Sequence, residues 1–152
     1  MQKVLFVCTH NSARSQMAEA ALRARYGELY QAFSAGTNPT KLNPYVKKVM
    51  TEIGIDMSTH ESKHIDSFLD QKIDIVVTVC DSTKENCPFF PGAKEYKHKS
   101  FPDPSQLSGS DEEILKSVRL IREEIFKWID SEFGSFRRGK NLSPNLTFRI
   151  EN

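Results

Sequence analysis

A cysteine and an arginine with five residues between them, Cys8-Thr9-His10-Asn11-Ser12-Ala13-Arg14, separate a short apolar run from a stretch of helical pattern. With a strand before it and a helix after it, such a turn aims successive backbone N–H groups and the positive end of a helix dipole at one point. That is a seat for a tetrahedral oxyanion. Arg14 can grip two of the anion's oxygens at once. The same field favours the thiolate of Cys8 and poises it to attack whatever the loop holds, and Ser15 can donate a hydrogen bond to the sulfur. A buried cysteine beside a surface arginine is the plain alternative, and that pair alone is common. The apolar flank Val4 to Val7 and the helical flank Ser15-Gln16-Met17-Ala18-Glu19 weigh for chemistry.

Two further groups could act at that point. Asp103 sits in Phe101-Pro102-Asp103-Pro104-Ser105, where two prolines hold the backbone extended and let a carboxylic acid reach over a bound anion. To give up a proton there it must be partly protonated, which burial or the anion itself would promote. A proline-bracketed turn with an exposed aspartate is the alternative. Cys80 ends a second apolar run, and Cys87 follows the polar segment Asp81-Ser82-Thr83-Lys84-Glu85-Asn86. Parallel strands deliver their carboxyl ends to one side of a sheet, so the sulfurs of Cys8 and Cys80 can approach each other. Inert thiols are the alternative. A metal site lacks a fourth ligand, because His60, His64 and His98 show no zinc spacing with these cysteines.

The elements that must position these groups follow from hydrophobic period. Lys3 to Cys8 reads as a buried strand and Ser15 to Tyr26 as a helix with Met17, Ala21, Leu22 and Tyr26 on one face, ended by Gly27. Tyr30 to Ser34 reads as a second strand, with a turn at Ala35-Gly36-Thr37. Asn43-Pro44 opens a helix that buries Val46, Val49, Met50 and Ile53 and closes at Gly54. A short helix covers Ile65 to Leu69. Ile73 to Cys80, apolar on both faces, reads as a central parallel strand, and Glu95 to His98 as a weak edge strand. Asp111 to Phe133 is the longest helix, with Ile114, Val118, Ile121, Ile125 and Trp128/Ile129 inward. Strands alternating with helices predict an α/β fold with right-handed crossovers.

At 152 residues the chain fits one domain, read as residues 1–133, and residues 134–152 form a basic tail, with Arg137, Arg138 and Lys140, that packs on the domain or moves freely. A formal charge of +1, from 21 basic and 20 acidic residues, argues against nucleic acid or an anionic membrane as partner. The apolar run Val4 to Val7 is too short for a signal segment, and no stretch is long enough to span a bilayer. Three cysteines cannot close a disulfide framework, and in a reducing cytoplasm persistent thiols are catalytic or metal-binding.

Val7 to Ser15 resembles the phosphate-binding loop of the low-molecular-weight tyrosine phosphatase family. With Cys80 and Cys87 the chain is more similar to that family's thioredoxin-coupled arsenate reductase branch. The resemblance runs colinearly from about Lys3 to Phe133 and implies a three-layer, four-stranded parallel sheet flanked by helices. It also implies Cys8 as nucleophile and Thr9, His10, Asn11, Ser12, Ala13 and Arg14 as the oxyanion seat, with arsenate as substrate and phosphate or sulfate as analogues. Asp103 then matches the acid that protonates the leaving oxygen. Cys80 and Cys87 match resolving thiols that carry a disulfide from Cys8 to the surface for thioredoxin, so the segment between them must move. Members of the branch often hold a potassium ion beneath the loop. Asn11, Glu19 and Ser34 match three of its ligands, but Lys63 stands in place of the fourth, an aspartate, and its ammonium could support the loop instead. No potassium requirement and no cofactor are expected, and the protein is expected to be a monomer. His10 and Ala13 also replace common family residues; His10 reads as a surface residue of the loop. The tyrosines that follow the aspartate-proline pair in phosphatases of this fold are here Ser105-Gln106, which favours reduction over a phosphatase. Some reductases on this fold use glutathione and glutaredoxin instead, and three cysteines leave that alternative open.

Overall fold

The computed structural model describes residues 1–81 and 86–139. In chain order the elements are β1 (Gln2–Cys8), α1 (Arg14–Tyr26), β2 (Tyr30–Gly36), α2 (Pro44–Thr51), a 3₁₀ turn at Ile65–Phe68, β3 (Ile75–Thr78), β4 (Glu95–His98), a 3₁₀ turn at Pro104–Gln106, and α3 (Asp111–Gly139). The strands pair in the order β2-β1-β3-β4, all parallel. The expected four-stranded α/β sheet is therefore present.

The period-2 alternation of β1 divides the core between the two faces. Val4, Phe6 and Cys8 join one cluster with residues of α1, α2 and α3, while Leu5 and Val7 join a smaller one with Ile65, Phe68, Ile73, Val76 and Phe90. Both faces are covered, which is why β1 reads as one continuous apolar run.

Several boundaries differ from expectation. β2 runs on through Ala35 and Gly36, where a turn was expected, and Gly36 pairs with Cys8. A β-carbon on Gly36 would lie 2.5 Å from the Thr9 carbonyl oxygen and 2.8 Å from that of Cys8. This glycine thus marks close backbone approach inside a strand, not a turn. β3 is shorter than the apolar run, although Val79 N–H still donates to the Val7 carbonyl at 3.1 Å. Cys80 consequently lies just past the ladder. α1 starts at Arg14, one residue early, and Gly27 follows it with φ −63, a right-handed conformation and not a left-handed cap. α2 stops at Thr51, so Ile53 falls beyond it and is exposed. α3 buries Leu115, Val118, Ile121, Ile125, Ile129 and Phe133, leaving Ile114 and Trp128 partly covered. The helix also crosses the expected boundary at residue 133 and continues to Gly139. The rest of the basic tail, from Lys140, lies outside the described residues.

Candidate active site

β1 and β3 run in register, Val7 beside Thr78, so Cys8 and Cys80 emerge at the same sheet edge. The loop that follows Cys8 is fixed through its carbonyl groups. Thr9 O accepts from Asn38 N–H at 2.8 Å, His10 O from Thr40 N–H at 3.2 Å and Ser12 O from Asn43 N–H at 2.8 Å. Asn11 O accepts from Ser62 Oγ at 2.8 Å and from Gln16 Nε2 at 3.1 Å. Each peptide unit directs its N–H opposite its C=O. With four successive carbonyls held by other segments, the N–H groups of His10 to Ala13 turn away from those segments, as an anion nest requires.

Asn11 is the only non-glycine residue among those described with a positive φ, 50°. A conformation of this kind persists only where the surroundings over-determine it. Its side chain is held from both ends. Oδ1 accepts from Lys63 N–H at 2.9 Å and from Gln16 Nε2 at 3.2 Å. The amide orientation is therefore set, and Nδ2 donates to Ser15 Oγ at 2.8 Å. Having accepted that bond, the Ser15 hydroxyl turns its one proton to Cys8 Sγ, 2.9 Å away. Cys8, Asn11, Ser15 and Gln16 are all buried.

The same logic extends one residue further out. Gln16 Nε2 also donates to the Glu61 carbonyl at 2.8 Å, so its Oε1 is the atom facing His60 Nδ1 at 3.0 Å, and the imidazole must donate there. Burial is the main cause that pushes the His60 pKa below its ordinary value, and nearby Arg23 and Lys63 add to it against the opposing pull of Glu19.

Beneath the loop, Glu19 Oε1 accepts from Ser34 Oγ at 2.5 Å and lies 3.9 Å from Lys63 Nζ, while Oε2 accepts from Arg23 Nη2 at 2.7 Å. The oxygens that would ligate a potassium ion are thus engaged by N–H or O–H donors and by a resident ammonium. These residues do not fit the ion. Among the described residues no three His, Cys, Asp or Glu side chains gather as a metal site.

Arg14, 4% exposed, donates from Nη1 to the Phe101 carbonyl at 3.3 Å and places Nη2 3.6 Å from Asp103 Oδ2. Asp103 caps the 3₁₀ turn that follows it. Its Oδ1 accepts from Ser105 N–H at 2.9 Å and from Ser105 Oγ at 2.8 Å, which leaves Oδ2 toward Arg14. A cleft of about 660 Å³ opens here, lined by Thr9, His10, Asp81, Asn86, Pro102, Asp103, Gln106 and Leu107. His10 takes part through its ring: Nδ1 donates to the Asn38 carbonyl at 3.1 Å.

Cys80 and Cys87 are joined by a disulfide with Cα atoms 5.8 Å apart, and Cys8 is a free thiol. Cys80 is fully buried and Cys87 only partly. The expected rearrangement of Ser82 to Glu85 falls outside the described residues.

Sequence reading did not single out Gln16, His60, Ser62 or Gly36. The signal for Gly36 was available, a glycine next to a β-rich run that must pass close to the loop. The others leave none, since Gln16 and His60 meet across 44 positions by tertiary contact alone.

Residues 3–134 match the low molecular weight phosphotyrosine protein phosphatase family. An arsenate reductase of Halalkalibacterium halodurans is 44% identical over 126 residues, 83% of this chain and 91% of that protein. A solved structure of an arsenate reductase in its reduced state is similar with a TM-score of 0.72 at 27% identity, covering 90% of this chain and 99% of that one. A thioredoxin-dependent arsenate reductase of Corynebacterium glutamicum has a TM-score of 0.57 at 27% identity, covering 86% of this chain and 62% of that one.

Proposed function

Since this chain belongs to the low molecular weight phosphotyrosine protein phosphatase family, we propose that it is an arsenate reductase that works through a three-cysteine relay and is regenerated by thioredoxin. The observation that carries this reading is a free, buried Cys8 thiol in an anion nest, with a Cys80–Cys87 disulfide departing from the same sheet edge.

Arsenate sits in the nest of Thr9, His10, Asn11, Ser12 and Ala13 N–H groups with its oxygens gripped by Arg14. The thiolate of Cys8, stabilised by the Ser15 hydroxyl, attacks arsenic. Asp103 protonates the departing hydroxide through Oδ2, the carboxylate oxygen that Ser105 does not hold. Water leaves and a Cys8 S–As bond forms. Cys80 thiolate then attacks the Cys8 sulfur; the S–As electron pair passes to arsenic, arsenite departs, and a Cys8–Cys80 disulfide remains. Cys87 attacks Cys80 and frees Cys8 as a thiolate. The Cys80–Cys87 disulfide of the structure corresponds to the end of this sequence. Two electrons have moved from two thiols to arsenic, and a protein dithiol restores them by exchange.

Lys63, with Glu19 and Ser34 beneath Asn11, supports the loop in place of a potassium ion. Its ammonium reaches Glu19 and its backbone N–H holds Asn11. The protein acts as a cytoplasmic monomer in this reading. A tyrosine phosphatase would use Cys8, Arg14 and Asp103 as well, but would need an aromatic wall for the substrate ring, and no Phe, Tyr or Trp is among the described residues that line the cleft.

The test is NADPH consumption with arsenate, thioredoxin and thioredoxin reductase, for the native chain and for Cys87→Ser, beside hydrolysis of an aryl phosphate. Arsenate-dependent turnover that is lost in Cys87→Ser is the expected result. Strong phosphatase activity without arsenate turnover would overturn the reading and leave Cys80 and Cys87 without a role.

A further inference from the structure

We propose that the stacked rings of Phe89 and Tyr96, on the outer edge of β4, are the seat on which the protein dithiol docks to reduce the Cys80–Cys87 disulfide. This rests on the relay above and concerns where its reductant binds.

The disulfide limits the direction of attack. Cys80 is 0% exposed, whereas Cys87 is only partly buried. An incoming thiolate must therefore reach the Cys87 sulfur, from the side opposite Cys80, and the body that carries it must rest on what surrounds Cys87. Around Cys87 the chain alternates: Pro88 and Phe90 are buried and Phe89 is 75% exposed. A large ring held in water two residues from a redox disulfide has no partner within the core. It stacks instead on Tyr96, 48% exposed, with centroids 6.0 Å apart and planes 13° from parallel.

The pair is a braced platform. Tyr96 donates its hydroxyl to the Phe90 carbonyl at 2.9 Å and accepts from Ala93 N–H at 3.1 Å, which ties the Phe90–Ala93 stretch beside Cys87 to β4. β4 is the last strand of the sheet among the described residues. The neighbouring charges are balanced, Lys94 with Asp74 at 3.2 Å and Lys97 with Glu95 at 2.9 Å and Glu132 at 3.0 Å, so the rings are rimmed by polar groups of both signs. Exposed apolar patches with a polar rim mark interaction sites, and aromatic side chains at their centre carry much of the affinity. The occupant that fits is a protein dithiol with an apolar face around its attacking sulfur, because the rings lie two residues from the one sulfur of the disulfide that is open to attack. A small thiol would make no use of two braced rings.

The step balances as follows. The partner's thiolate attacks Cys87 Sγ, the Cys80–Cys87 bond breaks, and Cys80 leaves as a thiolate and takes up a proton. The partner's second thiol displaces Cys87 from the mixed disulfide. Two thiols form on this chain, and the partner carries the new disulfide.

The experiment follows reduction of the oxidised chain by reduced thioredoxin and, separately, by dithiothreitol, for the native chain, Phe89→Ser, Phe89→Tyr and Tyr96→Phe. Phe89→Ser should lower kcat/KM for thioredoxin by about tenfold, chiefly through KM, with the dithiothreitol rate unchanged. Phe89→Tyr keeps the stacked rings and should stay near native, whereas Tyr96→Phe keeps the rings but loses the hydroxyl brace and should fall between native and Phe89→Ser with thioredoxin alone. Equal loss with both reductants would place the effect on the disulfide itself and overturn the docking surface. Native rates with thioredoxin in Phe89→Ser would overturn it while leaving the relay intact. Failure of thioredoxin on the native chain, with arsenate turnover supported by glutathione and glutaredoxin, would overturn the proposed occupant and the proposed reductant together.

Discussion

The Cys8–Arg14 loop and the Cys80–Cys87 disulfide lie at the same edge of one sheet, yet the bonds that fix them differ in kind. In the first, four successive carbonyls each accept a bond from another part of the chain, and the strained Asn11 is clamped at both ends of its side chain. In the second, the Cys80 carbonyl takes a long 3.3 Å bond from Ser100 Oγ and the link to Cys87 is a covalent bond that chemistry can exchange. Anion binding gains from donors fixed before the substrate arrives, because no reorganisation is then needed at the moment of reaction. A thiol relay needs the reverse, since Cys80 must face Cys8 at one step and Cys87 at the next. The difference teaches that, in the proposed relay, one sheet edge carries a rigid half and an exchangeable half.

That division is broken most severely at the shared nucleophile. Cys8→Ser should abolish arsenite formation altogether while leaving the nest, so sulfate or arsenate should still protect the variant against thermal unfolding. Loss of that protection would mean that the sulfur organises the loop as well as attacking. Cys87→Ser should act on the exchangeable half alone, releasing at most one arsenite per chain before stopping at a Cys8–Cys80 disulfide, as single-turnover product analysis would show. Several arsenites per chain without Cys87 would dissolve the distinction.

Arg14→Lys tests the rigid half. It keeps the charge and loses the planar fork that can hold two oxygens. Removal of a charge-assisted bond costs about 1.5–3 kcal/mol, so kcat/KM for arsenate should fall roughly tenfold to a hundredfold. Disulfide reduction in the oxidised chain should be unaffected. Gly36→Ala presses on the same half through packing, since its β-carbon would stand 2.5 Å from Thr9 O and 3.0 Å from Asn11 N. Overpacking of this kind costs about 1–3 kcal/mol. At roughly 3 °C per kcal/mol in a chain of this size, a thermal melt resolves it, and an unchanged melting temperature would show that the loop can yield.

The same comparison explains what could be read from the sequence. Elements with a strong apolar pattern were legible, β1 and the central turns of α3, and the weaker signal at Glu95–His98 also marks a strand. Cys8, Arg14 and Asp103 could be singled out because the motif requires those residue types, and the fold brings Arg14 Nη2 to 3.6 Å from Asp103 Oδ2. Gly36 was misplaced because a glycine after a short strand signals a turn as readily as a close approach, and only the neighbouring Thr9 carbonyl decides between them. Ile53 was misplaced because helical spacing continued past the point where α2 ends. The bond from Ser15 to Cys8 was expected, but the chain beyond it through Asn11 and Gln16 to His60 was invisible, because those links depend on which amide end faces which neighbour.

That outermost link gives the smallest and sharpest prediction. His60 lies half-buried with its pKa pushed below the ordinary 6.5, first by burial and then by Arg23 and Lys63, with Glu19 and Asp56 opposing. In the window from 6.5 down to the lowered value the unfolded chain therefore binds the proton that the folded chain refuses. Stability from this group is complete above pH 6.5 and diminishes as the pH falls through that window. Asp56, also lowered, by its bonds from Ser58, titrates below 3.8 and stays outside it. His60→Gln can still donate to Gln16 Oε1 but has no proton to gain. Its melting temperature should thus change less between pH 7 and pH 5 than that of the native chain, with arsenate turnover at pH 7.5 near native. Parallel melting curves would assign the acid sensitivity to another histidine. A large loss of turnover at pH 7.5 would show that the imidazole, and not merely a donor at its position, holds the rigid half in place.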